Sequence, residues 1–210
     1  QLLVDYGVTA ERLRNVSFSQ SRMADILYEQ DKMAVAFTLY QRVLKTDEKV
    51  LADYGVTAER LRNVSFSQDR MADILRKLGK MDTAFVLYQQ SLQTKQLLVD
   101  YEVTAERLRA VSVSQEVLAD ILLAQDKMDA AFALYQQSLQ TREKILADYG
   151  VTAERLRDVC FSQGKGADAL RGQNKTNDAL ILYQKALTGI EKILTTFGEE
   201  EFSDLIPVRD

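Results

Sequence analysis

The sequence predicts an all-α solenoid built from stacked antiparallel helix hairpins. A ten-residue string, Asp-Tyr-Gly-Val-Thr-Ala-Glu-Arg-Leu-Arg, begins at Asp5 and returns after 48, 47 and 48 residues, with Glu102 replacing the Gly in the third copy. Apolar residues recur at helical spacing within each copy. Proline is absent from residues 1–206, which permits helices of about 20 residues. Since one helical hairpin cannot bury its own apolar faces, the copies must stack.

Each copy is predicted to contain two amphipathic helices. In the first copy the apolar stripes are formed by Leu13, Val16, Met23, Ala24 and Leu27, then by Met33, Ala36, Phe37, Tyr40 and Leu44. The polar segment 29–32 between these stripes predicts a tight turn. We expect the small residues, such as Ala24 and Ala36, to lie where helix backbones approach most closely.

A threonine is expected to cap the start of each first helix. Thr9 precedes Glu11 by two residues, so its hydroxyl can accept from a free amide while the carboxylate meets the positive helix end. The equivalent residues are Thr57, Thr104 and Thr152.

The copies divide the chain into six predicted segments. They are 1–8, the end of a helix from a preceding repeat; 9–56, 57–103, 104–151 and 152–198, the four repeats; and 199–210, a tail or cap. The fourth repeat is degenerate, because Gly164, Gly166 and Gly172 fall in its first helix. Glycine destabilises a helix interior, so we expect 164–175 to be the least stable part of the array.

The stretch 20–44 resembles a tetratricopeptide repeat. The residues that carry the resemblance are Ala24, Leu27, Ala36, Tyr40 and Leu44, and the other copies match them. Gln20 replaces the Trp usual near the start of the motif, and the proline usual at its end is missing. With repeats of about 48 residues, the chain resembles the long-repeat bacterial variants. The resemblance implies a right-handed α-solenoid and a non-enzymatic protein-interaction scaffold.

The resemblance also implies a concave groove, lined by the first helices, that receives a peptide or a protein segment. Three ladders of residues are the candidate partner-binding residues: Arg14, Arg62, Arg109 and Arg157; Phe18, Phe66, Val113 and Phe161; and Asp25, Asp73, Asp120 and Asp168. A basic edge, an apolar floor and an acidic edge would suit an amphipathic helix or an extended peptide with a basic residue. The aspartates disfavour an acidic peptide tail.

Structural interpretations of these ladders are equally open. The Phe18 ladder can pack against the neighbouring hairpin. The Asp25 ladder can bond to the adjacent hairpin through side chains of the Lys32 or Arg12 type. Two positions vary between copies and are interpreted as an exposed face that meets different parts of a partner. They carry Ser21, Asp69, Glu116 and Gly164, and Tyr28, Arg76, Leu123 and Arg171.

Composition argues against several other functions. The formal net charge is −4 without a cluster of positive residues, which argues against nucleic acid. Apolar stretches are too short to cross a membrane. The absence of His and the single Cys argue against His- or Cys-based metal sites, cofactors and nucleophilic triads. Cys160 is interpreted as a buried small side chain. We therefore expect a cytoplasmic protein that is not an enzyme and needs no metal or cofactor.

Self-assembly is the alternative function. The first residues, including Leu2, Leu3 and Val4, repeat the end of a second helix. An open end of this kind could dock head to tail on another copy.

Overall fold

The computed structural model describes residues 9–198, and these form eight α-helices in consecutive pairs, without a strand in that range. The helices are α1 (Ala10–Glu29), α2 (Met33–Tyr54), α3 (Ala58–Lys77), α4 (Met81–Tyr101), α5 (Ala105–Ala124), α6 (Met128–Tyr149), α7 (Ala153–Gly172) and α8 (Thr176–Phe197). Each odd-numbered helix packs against the next even-numbered one as a hairpin. The predicted all-α class and the succession of helix hairpins are therefore confirmed.

The chain divides into two compact units, Gln1–Val103 and Thr104–Asp210. In the first unit, α2 packs against both α1 and α3, and α3 packs against α4. The second unit repeats this arrangement with α5 to α8. Each unit thus stacks two hairpins through the second helix of one and the first helix of the next. The helix end predicted at 1–8 and the cap predicted at 199–210 lie outside the described residues.

Threonine caps start the first helices, as predicted. The Thr9 hydroxyl oxygen accepts from the Arg12 amide at 3.3 Å, and Thr57, Thr104 and Thr152 accept from the equivalent amides at 3.2 Å. Each hairpin turn contains a residue with positive φ: Asp31, Gly79, Asp126 and Asn174. Asp, Asn and Gly tolerate this left-handed conformation, which explains the residues chosen at the turn.

Small residues allow the hairpins to pack closely. Ala24 and Ala36 are completely buried, and with Tyr40 they form one core cluster with Met71 and Ile74 of the following hairpin. Their burial agrees with the expectation, and a closest approach of the backbones at these alanines stays a prediction.

Two residues predicted to lie in the core are exposed instead. Val16 is 36% exposed and Met23 is 56% exposed, whereas their counterparts Val64 and Met71 are buried. Met71 is buried because it contacts the preceding hairpin. Within residues 9–198 no hairpin precedes α1, so the same face of α1 lacks that cover.

The three glycines of α7 lie within a continuous helix, and two of them make room for neighbouring side chains. A Cβ on Gly166 would lie 3.3 Å from Leu182 Cδ1, and one on Gly172 would lie 3.0 Å from Met128 Sδ. A Cβ on Gly164 would meet nothing within 4 Å. The low stability expected at 164–175 stays a prediction.

Cys160 is buried, as expected, and burial raises the pKa of its thiol. It occupies the position held by a serine in the other copies, and it packs against Gly189, where those copies have threonine. The larger side chain in α7 is therefore accommodated by a smaller one in α8.

Gly189→Ala is expected to lower the free energy of unfolding by about 1–3 kcal/mol because of overpacking. The new Cβ would lie 2.3 Å from Cys160 Sγ. Combining it with Cys160→Ser should recover most of the loss. Gly164→Ala, at a helical position with open space, is the matched control and should raise stability by about 0.5–1 kcal/mol. Urea unfolding measures all of these, and an unchanged stability for Gly189→Ala alone would contradict this packing.

Candidate functional site

A cavity of about 580 Å³ lies in the first unit between α1 and α3, with α2 behind it. From α1 it receives Arg14, Phe18 and Asp25, and from α3 it receives Arg62 and Phe66. Five of the predicted binding residues are thus brought to one place.

The two ladder phenylalanines of the first unit, Phe18 and Phe66, are exposed and available to a ligand. Phe18 is 61% exposed and Phe66 is 40% exposed, which disfavours the alternative that they pack against the neighbouring hairpin. A guanidinium lies over each ring: Arg22 at 5.2 Å from the centroid of Phe18, and Arg70 at 5.0 Å from that of Phe66. These cation–π contacts orient the rings without covering them.

The apolar ladder of the second unit is exposed too. Val113 is 40% and Phe161 is 52% exposed. The Phe161 ring lies near two cations, Arg142 at 5.7 Å and Lys165 at 5.6 Å from its centroid.

The predicted basic edge consists partly of ion pairs that join successive hairpins. Arg14 Nη1 lies 2.6 Å from Glu59 Oε1. In the second unit, Arg109 Nε donates to Asp158 Oδ2 at 2.6 Å, and this hydrogen bond raises the pKa of Arg109. Such exposed pairs contribute at most about 1 kcal/mol each. Arg157 lies elsewhere, beside Phe197 in a separate depression.

The predicted acidic edge has structural partners within each hairpin. The Tyr40 hydroxyl donates to Asp25 Oδ1 at 2.5 Å, and Arg70 Nε of the next hairpin lies 3.6 Å from the same oxygen. Burial and this hydrogen bond raise the pKa of Tyr40. The equivalent donor–acceptor pairs are Tyr88–Asp73, Tyr135–Asp120 and Tyr183–Asp168.

The aspartate ladder therefore links helices. Its partners are these tyrosines and, for Asp25 and Asp120, a cation of the following hairpin, such as Lys165 at 2.9 Å from Asp120. Side chains of the Lys32 or Arg12 type, suggested by the sequence, are not the ones observed. A role of the ladder in binding stays a prediction.

The interpretation as a freely exposed face is wrong for the position that carries Asp69 and Glu116, whereas Arg76 and Arg171 at the other varying position are exposed. Glu116 is 5% exposed and its Oε2 lies 2.7 Å from Arg142 Nη2 in α6. Asp69 Oδ2 lies 2.6 Å from Lys95 Nζ in α4. In the second and third hairpins the residue at this position therefore follows charge pairing inside the hairpin.

The charge pairing could have been found from the repeats. The two positions that meet carry Ser21 and Asp47, Asp69 and Lys95, Glu116 and Arg142, and Gly164 and Ile190 in the four copies. In the second and third copies an acid at the first position occurs with a base at the second. In the fourth copy a glycine at the first position occurs with an isoleucine at the second. The first copy differs from these, because its acid, Asp47, is at the second position and the first position is occupied by Ser21.

Asp47 is a buried carboxylate at the cavity between α1 and α3, and sequence reasoning missed it. It is 6% exposed. Its Oδ1 accepts from the Ser17 hydroxyl at 2.6 Å and its Oδ2 from the Ser67 hydroxyl at 3.4 Å. Burial raises its pKa, and Glu48 adds to the shift. Among residues 9–198, no cation lies within ion-pair distance of it.

Asp47→Asn is expected to raise stability at neutral pH. Since the folded-state pKa of Asp47 lies above its ordinary value of 3.8, the protonated form is favoured in the folded chain. That stabilisation is present at low pH and is lost as pH rises through the folded pKa. The gain from Asn should therefore vanish in acid below pH 3.8. Asp53→Asn, exposed on the same helix, is the control; equal urea midpoints for both variants at neutral pH would contradict the expectation.

The described part of the chain offers neither a membrane span nor a metal cluster. None of the helices in residues 9–198 combines the length and apolar character that crossing a bilayer requires. No three His, Cys, Asp or Glu side chains of that range are grouped so that they could hold a metal ion.

Comparison with known proteins identifies the repeat. Residues 111–148, which cover most of the third hairpin, match the family model for the tetratricopeptide repeat. No curated protein sequence matches the chain at a significant level.

Several solved structures are similar in fold over most of the chain. BtubC (BKLC) from P. vanneervenii superposes with a TM-score of 0.48 at 13% identity, over 96% of this chain and 91% of that one. MamA gives a TM-score of 0.44 at 14% identity, over 91% and 98%. A Podosopora anserina protein with nearly identical TPR-like repeats gives 0.42 at 16%, over 89% and 98%. Similarities this low say nothing about partners. The tetratricopeptide repeat predicted from the sequence is confirmed at residues 111–148.

Proposed function

We propose that this chain is a non-enzymatic scaffold that binds a peptide or protein segment in the groove lined by the first helices of its repeats. A tetratricopeptide-like fold supports a protein-interaction scaffold in general. The observation that carries the specific proposal is the exposure of Phe18 and Phe66 inside one cavity of about 580 Å³.

Exposed aromatic rings in a concave site are the usual anchors of protein binding. Phe18 and Phe66 lie on successive first helices, so a bound segment could contact both while crossing the hairpins. Burying such rings gives more free energy than polar contacts at an interface rim, and truncating an aromatic anchor often costs 2 kcal/mol or more. The Phe pair is therefore proposed as the main source of affinity.

The charges around this cavity suit a segment of mixed character. Arg14, Arg22 and Arg62 line it together with Asp25, Asp47 and Glu59, so neither sign is in excess. A polyanion such as nucleic acid gains nothing from this balance. An amphipathic helix or an extended peptide can place apolar side chains on the rings and charged ones at either edge.

Phe66→Ala is expected to weaken binding at least tenfold. Segments selected from a random peptide library against the full chain provide the ligands, and fluorescence anisotropy provides the affinities. Val56→Ala removes an exposed side chain outside the cavity and should leave affinity unchanged. If no segment is selected, or if Phe66→Ala binds as the parent does, the groove is not the binding site.

Self-association through the first hairpin is the second candidate. It is favoured by the apolar face of α1, where Val16, Met23 and Ile26 are 36%, 56% and 54% exposed. In the next hairpin the equivalent residues are buried against their neighbour. A second copy could cover this face head to tail. Sedimentation of the parent and of Met23→Glu over a range of concentrations tests it, and a monomer throughout would contradict it.

A further inference from the structure

The second unit contains a buried carboxylate that is fully neutralised. Glu116 Oε1 accepts from the hydroxyls of Ser138 at 2.9 Å and Ser162 at 2.6 Å. Its Oε2 lies 2.7 Å from Arg142 Nη2. The Arg142 guanidinium also donates to the Asp158 carbonyl at 2.5 Å. A buried charge requires such partners, since an uncompensated one is strongly destabilising.

The first unit contains a buried carboxylate at the corresponding place without the cation. Asp47 accepts from Ser67, which is the counterpart of Ser162 in the repeat. The acid position of this hairpin is occupied by Ser21, and the position that supplies Arg142 in the second unit supplies Asp47 itself. The first copy therefore keeps the carboxylate and loses its guanidinium.

The cavity of the first unit leads to this carboxylate. Asp47 lines it together with Phe18 and Phe66. In the second unit, the Arg142 guanidinium lies 5.7 Å from the ring centroid of Phe161, and Phe66 is the counterpart of that ring. The first unit thus retains a carboxylate, the aromatic ring and two serine hydroxyls, Ser17 and Ser67, as counterparts of Ser112 and Ser162, whereas Val43 replaces Ser138.

Two of the three arginines at the cavity are engaged elsewhere, and the third, Arg62, forms no ion pair with Asp47. Arg14 pairs with Glu59 at 2.6 Å. Arg22 lies over the Phe18 ring and 4.0 Å from Asp25. None of the three neutralises Asp47, so the carboxylate is open to a cation that enters the cavity. A guanidinium fits better than an ammonium, because its planar fork can pair with a carboxylate while its face lies against an aromatic ring.

We propose that an arginine side chain of the bound segment enters the cavity of the first unit and that its guanidinium pairs with the Asp47 carboxylate. It takes the place that Arg142 fills in the second unit. This inference rests on the proposed function and specifies one residue of the ligand. The occupant is the side chain of a partner protein, held by a buried charge pair beneath the two phenylalanine rings.

A small probe tests the pairing directly. The blocked tripeptide Ac-Ala-Arg-Ala-NH2 is titrated into the full chain. The methyl signals of Val43, which lines the cavity, are followed by NMR. Its matched controls carry citrulline, a neutral isostere of arginine, or lysine. We expect a saturable shift with arginine and an affinity at least tenfold lower with citrulline. Equal affinities for all three peptides would overturn the proposal.

Two variants test whether binding of the arginine peptide depends on the Asp47 carboxylate. Asp47→Asn keeps the shape and removes the charge, and it should weaken the arginine peptide at least tenfold. The double variant Ser21→Glu with Asp47→Arg copies the pair of the third hairpin, so it should fill the cavity from within and abolish the shift. Thermal unfolding establishes that both variants fold. Unchanged binding by folded Asp47→Asn would contradict the proposal.

The library-selected segments separate this inference from the proposed function. Loss of their binding in Phe66→Ala but not in Asp47→Asn would leave the groove standing and overturn the arginine pairing. Binding that survives both substitutions would overturn the groove itself. Loss in both variants, with arginine enriched among the selected segments, is the result we expect.

Discussion

Glu116→Gln is expected to lower the free energy of unfolding by about 3–5 kcal/mol, because it leaves the Arg142 guanidinium buried without its counter-ion. Both side chains are at most 7% exposed, so water cannot replace the lost carboxylate. The substitution preserves the shape of the side chain, which separates the charge effect from a cavity effect. Urea unfolding at neutral pH measures the change.

Two controls accompany this prediction. Asp69→Asn breaks the pair with Lys95, where the aspartate side chain is 28% exposed, and it should cost about 1 kcal/mol or less. Glu116→Leu combined with Arg142→Met replaces the pair by apolar side chains and should recover most of the loss. A double variant as unstable as Glu116→Gln would show that the ion pair is not the cause.

Tyr40→Phe is expected to cost about 1.5–3 kcal/mol, because the Tyr40 hydroxyl donates to a carboxylate. Tyr40 is completely buried, and Asp25 is 21% exposed, so the lost hydrogen bond is only partly replaced by water. Tyr183→Phe removes the same type of bond to Asp168, whose side chain is 47% exposed, and it should cost less. Equal losses in the two variants would contradict a role for burial.

The buried tyrosines also predict loss of stability in alkali. Burial, followed by the hydrogen bond to an aspartate, raises the pKa of Tyr40, Tyr88 and Tyr135 above the ordinary value of 10.0. The folded chain therefore holds these protons more tightly than the unfolded chain. The resulting stability is present below pH 10.0 and is lost as pH rises through the folded pKa values. We expect the phenolate absorbance of these three tyrosines to appear together with the loss of helical circular dichroism; ionisation of all nine tyrosines before that loss would contradict this.

Much of the fold could be predicted from the sequence because the repeat exposes its periodicity several times. The caps at Thr9 and its counterparts and the burial of Ala24 and Ala36 follow from local rules of helix ends and helix packing. The exposure of Met23 did not follow, because burial at that position depends on a preceding hairpin rather than on the helix itself.

The candidate site was predicted less completely. Helical spacing places Phe18 on one face with Arg14 and Asp25, and the repeat puts Phe66 at the equivalent place in the next hairpin; both phenylalanines line the cavity. Spacing could not show that Asp25 accepts from Tyr40, because that contact joins different helices. Spacing also could not show that Asp47 lines the cavity with Phe18 and Phe66, since an aspartate in an amphipathic pattern is expected to be exposed. The burial of Asp47 could have been inferred by comparing two repeat positions together. They carry Ser21 and Asp47 in the first copy, and Glu116 and Arg142 in the third.

The proposed partner segment lies between α1 and α3, and NMR shift mapping of a library-selected segment on the full chain locates it. We expect the largest perturbations at Phe18, Val43 and Phe66, which share one cavity. Perturbations centred outside this cavity, with these three residues unchanged, would contradict it.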